Sequence, residues 1–296
     1  MEEESRFTQG MRKLFLPITV PLKFIQEHFK AMLFLLLLFL IFAPSNEQSL
    51  LPNNLQQIAI KGPIFDAGEV LYQLNAAAEN KGVKGVLVEI NSPGGAVAPS
   101  VEIAYAIKRL REKKPVVVYA SGVFASGGYY ASIWADRIIA NPGAMVGSIG
   151  VILQGADFSG LMEKVGVKTQ VVSAGRYKEL GTSDREWTPE ERGELNKVIQ
   201  GTYDLFVGDV ATARKLDPRK HAIYADAHIF TASQAQQVGL VDAIGVRYDA
   251  EQELIALSGV DNPIWNEEDR FEKIMRKLAA ESMLLLHTYL PAVSLR

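Results

Sequence analysis

Residues 85–121 read GVLVEINSPGGAVAPSVEIAYAIKRLREKKPVVVYAS and carry the clearest indication of the fold. Two apolar runs, 85–91 and 115–121, flank a segment in which apolar residues recur at helical spacing. Near-continuous apolar runs are typical of strands buried on both faces, and a helix between two such strands joins a parallel pair. The stretch therefore predicts two strands of one parallel sheet, connected by a helix over 97–113.

The same alternation continues on both sides of this stretch. The other predicted elements are strands at 55–62, 137–140, 145–153 and 167–173, helices at 67–80 and 189–215, and a short helix starting near Ser126. Strands that alternate with helices predict an α/β domain with a largely parallel sheet covered on both faces. We place this domain at residues 55–260.

The composition excludes several classes of protein. Among 296 residues, 31 Lys and Arg stand against 34 Asp and Glu, which gives a net charge of −3 and no basic surplus for nucleic acid. The absence of cysteine excludes disulfides, thiolate metal sites and cysteine nucleophiles. The four histidines form no close pair, so no metal site is expected.

The amino-terminal part predicts a membrane anchor. Residues 31–43, AMLFLLLLFLIFA, carry no charge and are apolar on every side of a helix, unlike a helix of a soluble core. The run spans only about 20 Å, so Lys30 would extend it by snorkelling. A cleaved signal peptide also fits this length, but the cleavage site near Ala43 is weak, which favours an uncleaved anchor. Basic residues precede the run and none follows until Lys61, which predicts a cytoplasmic amino terminus and an extracytoplasmic domain.

The chain thus divides into five predicted segments. They are a cytoplasmic or interfacial segment 1–30, the anchor 31–43, a linker 44–54, the α/β domain 55–260 and a helical tail 261–296.

Two glycine-rich turns follow the two central strands and are candidates for catalysis. In SPGG, residues 92–95, the glycines free the backbone to aim amides at an incoming oxygen, which an oxyanion hole requires. In ASGGYY, residues 125–130, Ser126 lies at a helix start, where the amides favour a developing negative charge. Taken alone, the first could be an ordinary turn and Ser126 an ordinary N-cap.

A serine nucleophile needs a base, and the sequence offers two kinds. His221 and His228 lie in a polar stretch without a motif, so we interpret them as surface or structural residues. Lys178 follows the predicted strand at 167–173 in a loop. A lysine in water is almost entirely protonated at pH 7, so a lysine base requires an apolar pocket.

Four motifs in order make the chain resemble the signal peptide peptidase A family of membrane serine proteases. They are SPGG at 92–95, SGGYY at 126–130, GSIGV at 147–151 and YKE at 177–179. The resemblance runs from about residue 55 to 250, and the amino-terminal anchor matches too. It implies a fold similar to the Clp protease and crotonase superfamily, a spiral of ββα units preceded by a transmembrane helix. One departure is Asp184, which stands where the family usually has a proline.

The resemblance also implies residue roles. Ser126 is the nucleophile, and Lys178 is the general base and then the acid toward the leaving amine. The backbone amides around Gly94, Gly95 and Gly127 are the implied oxyanion donors, and Ser148 is implied to orient the lysine by a hydrogen bond.

The same resemblance implies partners and location. Such proteases prefer hydrophobic, extended peptides such as signal-peptide remnants, and they form ring-shaped or dome-shaped homo-oligomers in which serine and lysine can come from different subunits. No cofactor, metal or nucleic acid is expected, and the implied location is the inner membrane. Two other functions remain open from the sequence: a crotonase-type acyl-CoA enzyme, and a non-catalytic oligomeric scaffold that binds peptides.

Overall fold

The computed structural model describes residues 26, 28–35 and 52–266, and residues 52–266 are built around a seven-stranded sheet. Its strands are β1 (Leu55–Lys61), β2 (Gly85–Ser92), β3 (Val116–Ala125), β4 (Arg137–Ala140), β5 (Met145–Gly147), β6 (Ile229–Thr231) and β7 (Ala243–Ile244). The order β1-β2-β3-β4-β7 is parallel throughout, β5 pairs in parallel with β3, and β6 is antiparallel to β5. The predicted α/β class and largely parallel sheet are therefore confirmed.

Helices connect these strands in the order that the sequence predicts. They are α1 (Gly68–Glu79), α2 (Val97–Arg111), α3 (Gly127–Tyr130), α4 (Ser159–Lys164), α5 (Pro189–Arg214), α6 (His221–Tyr224), α7 (Ala232–Gln237) and α8 (Arg247–Ser258), with a 3₁₀ turn at Pro218–Lys220.

The two faces of the sheet belong to two separate clusters of buried side chains. On β2, Val86 and Val88 point into the larger cluster, which α1 and α2 cover. Leu87 points to the other face, where Leu254 of α8 packs against it. Both faces of the central strands are thus buried, which explains why their sequences read as continuous apolar runs.

An irregularity in β3 brings two parts of the chain to the same point. Ile90 of β2 pairs with Ala120, but Ser92 pairs with Phe124, so β3 carries extra residues between these pairs. The start of β3 pairs with β4 and its last three residues pair with β5. The end of β3 is therefore flanked by β2 on one side and β5 on the other.

Two predicted strands differ from the structure. The strand predicted at 145–153 ends at Gly147, and the strand predicted at 167–173 is wrong, since these residues form an exposed, irregular segment. A strand needs a neighbour that takes up its backbone hydrogen bonds, and within 52–266 no strand pairs with this segment. Apolar alternation alone did not reveal that the neighbour is missing.

The two predicted terminal segments fall mostly outside the described residues. Residues 26 and 28–35 are helical, while residues 36–43 of the predicted anchor lie outside the description. No helix among the residues described has both the length and the apolar character needed to cross a membrane. At the other end, Trp265 forms an isolated parallel bridge with Leu55, and residues 267–296 of the predicted tail lie outside the description.

Candidate active site

Ser126 stands between the end of β3 and the start of α3 in a strained conformation. Its φ of 51° and ψ of −126° lie in a region that non-glycine residues rarely adopt. Its side chain makes no capping hydrogen bond, so the ordinary N-cap alternative is wrong. The hydroxyl of buried Tyr129, one turn further, donates to the carbonyl of Leu240 at 2.8 Å and fixes α3 in the core.

Gly94 is pressed against Ser126. A Cβ at this glycine would lie 2.6 Å from the Gly127 nitrogen and 2.8 Å from the Ser126 Cβ, and its φ is +100°. Its own N–H donates to the Oγ of buried Ser92 at 3.1 Å. The amide of Gly94 is therefore already engaged, whereas its lack of a side chain makes the close approach possible.

Gly95 is held by a short bridge to Ile64. The Ile64 N–H donates to the carbonyl of Gly94, and the Ala96 N–H donates to the carbonyl of Ile64, both at 2.8 Å. A Cβ on Gly127 would lie 3.2 Å from the Gly95 nitrogen, so the Gly95 and Gly127 amides are close together beside Ser126. These two amides are the better candidates for binding an oxyanion.

Ser148 lies beside Ser126 because β5 continues alongside the end of β3. Ala125 pairs with Gly147, and the Ser126 N–H donates to the Gly147 carbonyl at 2.8 Å. Ser148 is half-buried and has a φ of 50°, nearly the value of Ser126. The structure therefore places the SPGG, SGGYY and GSIGV motifs at one point.

A cavity of about 90 Å³ opens beside Ser126. Its lining residues are Gly95, Val97, Ser100, Val101, Ser126, Gly127, Tyr130, Gly150, Val151, Ile152, Thr202, Leu205 and Phe206. Most of these side chains are apolar, so the cavity suits an aliphatic group next to a hydroxyl and a pair of backbone amides.

A polar anchor lies behind one wall of this cavity. The rings of Tyr130 and Phe206 meet edge to face with centroids 4.7 Å apart. The Tyr130 hydroxyl donates to the carboxylate of Asp209, and the Tyr105 hydroxyl donates to the same carboxylate at 3.2 Å. Burial raises the pKa of both tyrosines, and the contacts with Asp209 raise it further. The phenols therefore stay protonated and act as donors.

Lys178 lies outside the lining of the cavity beside Ser126. It is exposed, and its N–H donates to the Gly175 carbonyl at 3.2 Å. The two candidate histidines do not line the cavity either: His221 is bonded to Tyr203, and His228 is exposed against Phe230. Near the lysine, Asp184 accepts a hydrogen bond from the Thr182 hydroxyl.

Sequence reasoning missed the wall that α5 contributes. Thr202, Leu205 and Phe206 lie on one helical face, and this spacing is visible in the sequence. The spacing indicates a buried face of a helix, but it does not tell a packed core from the wall of a cleft. The role of Asp209 carries no sequence signal, because it depends on contacts with distant residues. Ser92, in contrast, belongs to the SPGG motif and accepts from an amide two residues away.

The chain is similar to known proteins in sequence and in fold. The model of "Peptidase family S49" matches residues 108–261, more than half of the chain, and the model of "Clp protease" matches residues 51–144. A candidate protease of Synechocystis sp. is 44% identical over 183 residues, which cover 62% of this chain and 66% of that protein. A candidate signal peptide peptidase SppA of Enterococcus faecium is 36% identical over 208 residues, 66% of this chain and 60% of that protein. The chain thus spans less than two thirds of the length of these relatives.

A solved structure shares the fold. It is that of a mutant of the 1510-N membrane-bound stomatin-specific protease, which superimposes with a TM-score of 0.50 at 14% identity and covers 73% of this chain and 99% of its own. Together with the matching Clp protease model, it supports a Clp protease-like α/β fold.

Proposed function

Because the chain belongs to peptidase family S49, we propose that it is a serine endopeptidase with Ser126 as the nucleophile and Lys178 of a neighbouring copy as the general base. The observation that carries the proposal is the strained Ser126 between two glycine amides at the mouth of an apolar cavity. Strained residues gather at active sites, where the fold holds a reactive group in a fixed orientation.

The reaction begins with acyl transfer to the serine. Ser126 Oγ attacks the carbonyl carbon of the scissile peptide and passes its proton to the neutral Lys178 amine. The amides of Gly95 and Gly127 donate to the oxyanion that forms. When the carbon–nitrogen bond breaks, the Lys178 ammonium returns the proton to the leaving amine.

Hydrolysis of the acyl-enzyme completes the cycle. A water gives a proton to the Lys178 amine and attacks the ester carbonyl, and the same two amides bind the second oxyanion. When this intermediate collapses, the proton on Lys178 goes back to Ser126 Oγ. Every proton is returned, so these steps are complete without a metal or an organic cofactor.

The cavity supports a proposal for the substrate class. Its walls are mainly aliphatic and aromatic, and we assign it to the side chain that precedes the scissile bond. Extended hydrophobic peptides, such as signal-peptide remnants, fit such a site.

An exposed apolar arm supports assembly into a homo-oligomer. Between residues 151 and 173, Ile152 is 83% exposed and Val172 is fully exposed, and Leu161 and Val165 are also exposed. Apolar groups in such number are seldom left in water. We therefore assign this arm, which leads directly to Lys178, to contacts with a second copy of the chain that carry the lysine to the neighbour's Ser126.

The sequence at the amino terminus supports a proposal for the location. We propose that residues 31–43 anchor the protein in the inner membrane, with a cytoplasmic amino terminus and the peptidase domain on the opposite side. Reporter fusions after residues 30 and 54 test this topology. A reporter that is active in the cytoplasm after residue 54 contradicts it.

The function is tested by peptide hydrolysis with single variants of the full chain. We expect no turnover with Ser126→Ala, and a loss of at least about 100-fold with Lys178→Met, since general bases contribute that much. Lys81→Met, at an exposed lysine outside this arm, is the control and should retain wild-type activity. Most of the activity remaining in the Ser126→Ala or Lys178→Met variant would refute the assignment.

A further inference from the structure

A strained loop lies against the segment that carries Ser148. In residues 225–228, Asp226 and Ala227 have φ values of 59° and 55°, in the left-handed region that non-glycine residues avoid. Two such residues in succession do not persist without contacts that hold them.

The loop and the Ser148 segment are joined by three close contacts. The Ala227 N–H donates to the Ile149 carbonyl at 2.9 Å, and the Ser148 N–H donates to the His228 carbonyl at 2.7 Å. A Cβ on Gly150 would lie 2.9 Å from the Ala227 Cβ. A shift of the loop would therefore move Ser148 and the cavity wall at Gly150.

The hydroxyl of Tyr203 holds this loop from behind. Tyr203 is on α5, next to Thr202 of the cavity wall, and its oxygen accepts from the Asp226 N–H at 3.1 Å. The same hydroxyl lies 3.1 Å from His221 Nδ1.

We propose that Tyr203 is a positioning residue of the active site. Its hydroxyl keeps loop 225–228 in the left-handed conformation that holds Ser148 and Gly150 beside Ser126. The inference rests on the proposed peptidase function, because it assigns Tyr203 an effect on turnover through Ser148 and not through contact with the substrate.

Tyr203→Phe in the full chain tests the inference, with kcat, KM and amide exchange over residues 145–152 as readouts. We expect kcat to fall about tenfold with KM changed less than about twofold, the effect of one lost hydrogen bond. Exchange over 145–152 should become faster. Tyr224→Phe is the matched control, because the hydrogen bond that this hydroxyl donates goes to the Asp217 carbonyl, at 3.3 Å, and not to the loop.

A second substitution separates positioning from general packing. Glycine adopts a positive φ without steric strain, so adding Asp226→Gly to Tyr203→Phe should restore at least about half of the lost kcat. Wild-type kcat and exchange in Tyr203→Phe, or a loss that Asp226→Gly does not relieve, would overturn the inference. The proposed function fails separately, if Ser126→Ala keeps its activity, and amide exchange then still decides whether Tyr203 holds the segment.

Discussion

Ser126 and Ser148 occupy matching places on two neighbouring strands. Each follows a paired residue, Ala125 or Gly147, and each has a left-handed φ close to 50°. The pairing brings two hydroxyl-bearing residues to one end of the sheet, where chemistry in α/β proteins usually occurs. Their strain indicates that the position of these side chains is maintained against the backbone's own preference.

The fit of Gly94 against Ser126 gives the first prediction. Gly94→Ala should reduce peptide hydrolysis at least about 100-fold, because the new Cβ would displace Gly127 or Ser126 from the geometry that oxyanion binding needs. The measurement is kcat/KM together with the thermal unfolding temperature.

Gly62→Ala is the control for this prediction. Gly62 also has a positive φ, +73°, but a Cβ there meets nothing within 4 Å. Both alanines strain the backbone, so only the close approach differs. Equal activity losses in the two variants would contradict this role of Gly94.

The size of the cavity gives a second prediction, about the side chains that it accepts. About 90 Å³ is well below the roughly 150 Å³ of an apolar cavity that holds benzene, so aromatic side chains should be poor substrates. Phe206→Ala should raise kcat/KM for substrates with Phe before the scissile bond, relative to those with Val, about tenfold or more.

Val207→Ala is the matched control for Phe206→Ala. Val207 is a buried neighbour on α5 that does not line the cavity, so its truncation should lower stability without changing the preference. An unchanged preference in Phe206→Ala would place the substrate side chain elsewhere.

At the scale of elements, α5 is held differently at its two ends. Its first turn has a capping box in which Thr188 accepts from the Glu191 N–H and the Glu191 carboxylate accepts from the Thr188 N–H. The Nη2 atom of Arg185 lies 2.7 Å from Oε1 of the same carboxylate. At the other end, Arg214 donates two hydrogen bonds to Asp242. The cavity wall lies between these anchors.

The amino-terminal anchor of α5 predicts a pH dependence. The pKa of Glu191 is lowered to about 2, mainly by its hydrogen bonds with the Arg185 guanidinium and to a smaller extent by the one from the Thr188 amide. Because the folded-state pKa lies below the ordinary value, the ionised carboxylate stabilises the protein above about pH 4, and this contribution is lost as the pH falls toward 2. Glu191→Gln should therefore destabilise the protein at pH 7 and make little difference near pH 2.

Chemical unfolding of the wild-type protein and of Glu191→Gln between pH 7 and pH 2 measures the difference in their free energy of unfolding. Glu190→Gln, the exposed neighbour in the same turn, is the control and should show no comparable pH-dependent loss. If Glu191→Gln lowers the free energy of unfolding by the same amount at pH 7 and at pH 2, the carboxylate does not act through its charge.

Elements with strong local signals could be predicted from the sequence. The apolar runs of β2 and β3 and the Thr-Pro-Glu-Glu start of α5 are local features, and the predicted elements there agree with the structure. The segment 167–173 could not be predicted, because strand formation depends on a neighbour and not on apolar spacing alone. The site could be predicted in part for the same reason. Local motifs locate Ser126, whereas the contacts of Tyr203 and Asp209 join residues that are distant in the sequence.

For the whole molecule, the proposal that a neighbouring copy supplies Lys178 has a direct consequence. If a neighbouring copy supplies the lysine, a site formed by one Ser126→Ala chain and one Lys178→Met chain can still pair an intact serine with an intact lysine. Mixing the two inactive variants under conditions that allow subunit exchange should restore part of the peptidase activity.

The control for this mixing experiment is each variant exchanged with itself. Activity should also fall on dilution, as the assembly dissociates. Mixtures that stay inactive although mass measurements show mixed assemblies would place both residues of the dyad in one chain.

The most direct test of the central claim is to map the adduct of a fluorophosphonate, which reacts with activated serines, by mass spectrometry of the assembled protein. We expect a single adduct on Ser126 that is absent in Lys178→Met and retained in Lys81→Met. An adduct on another residue, or equal labelling of Ser126 without Lys178, would contradict it.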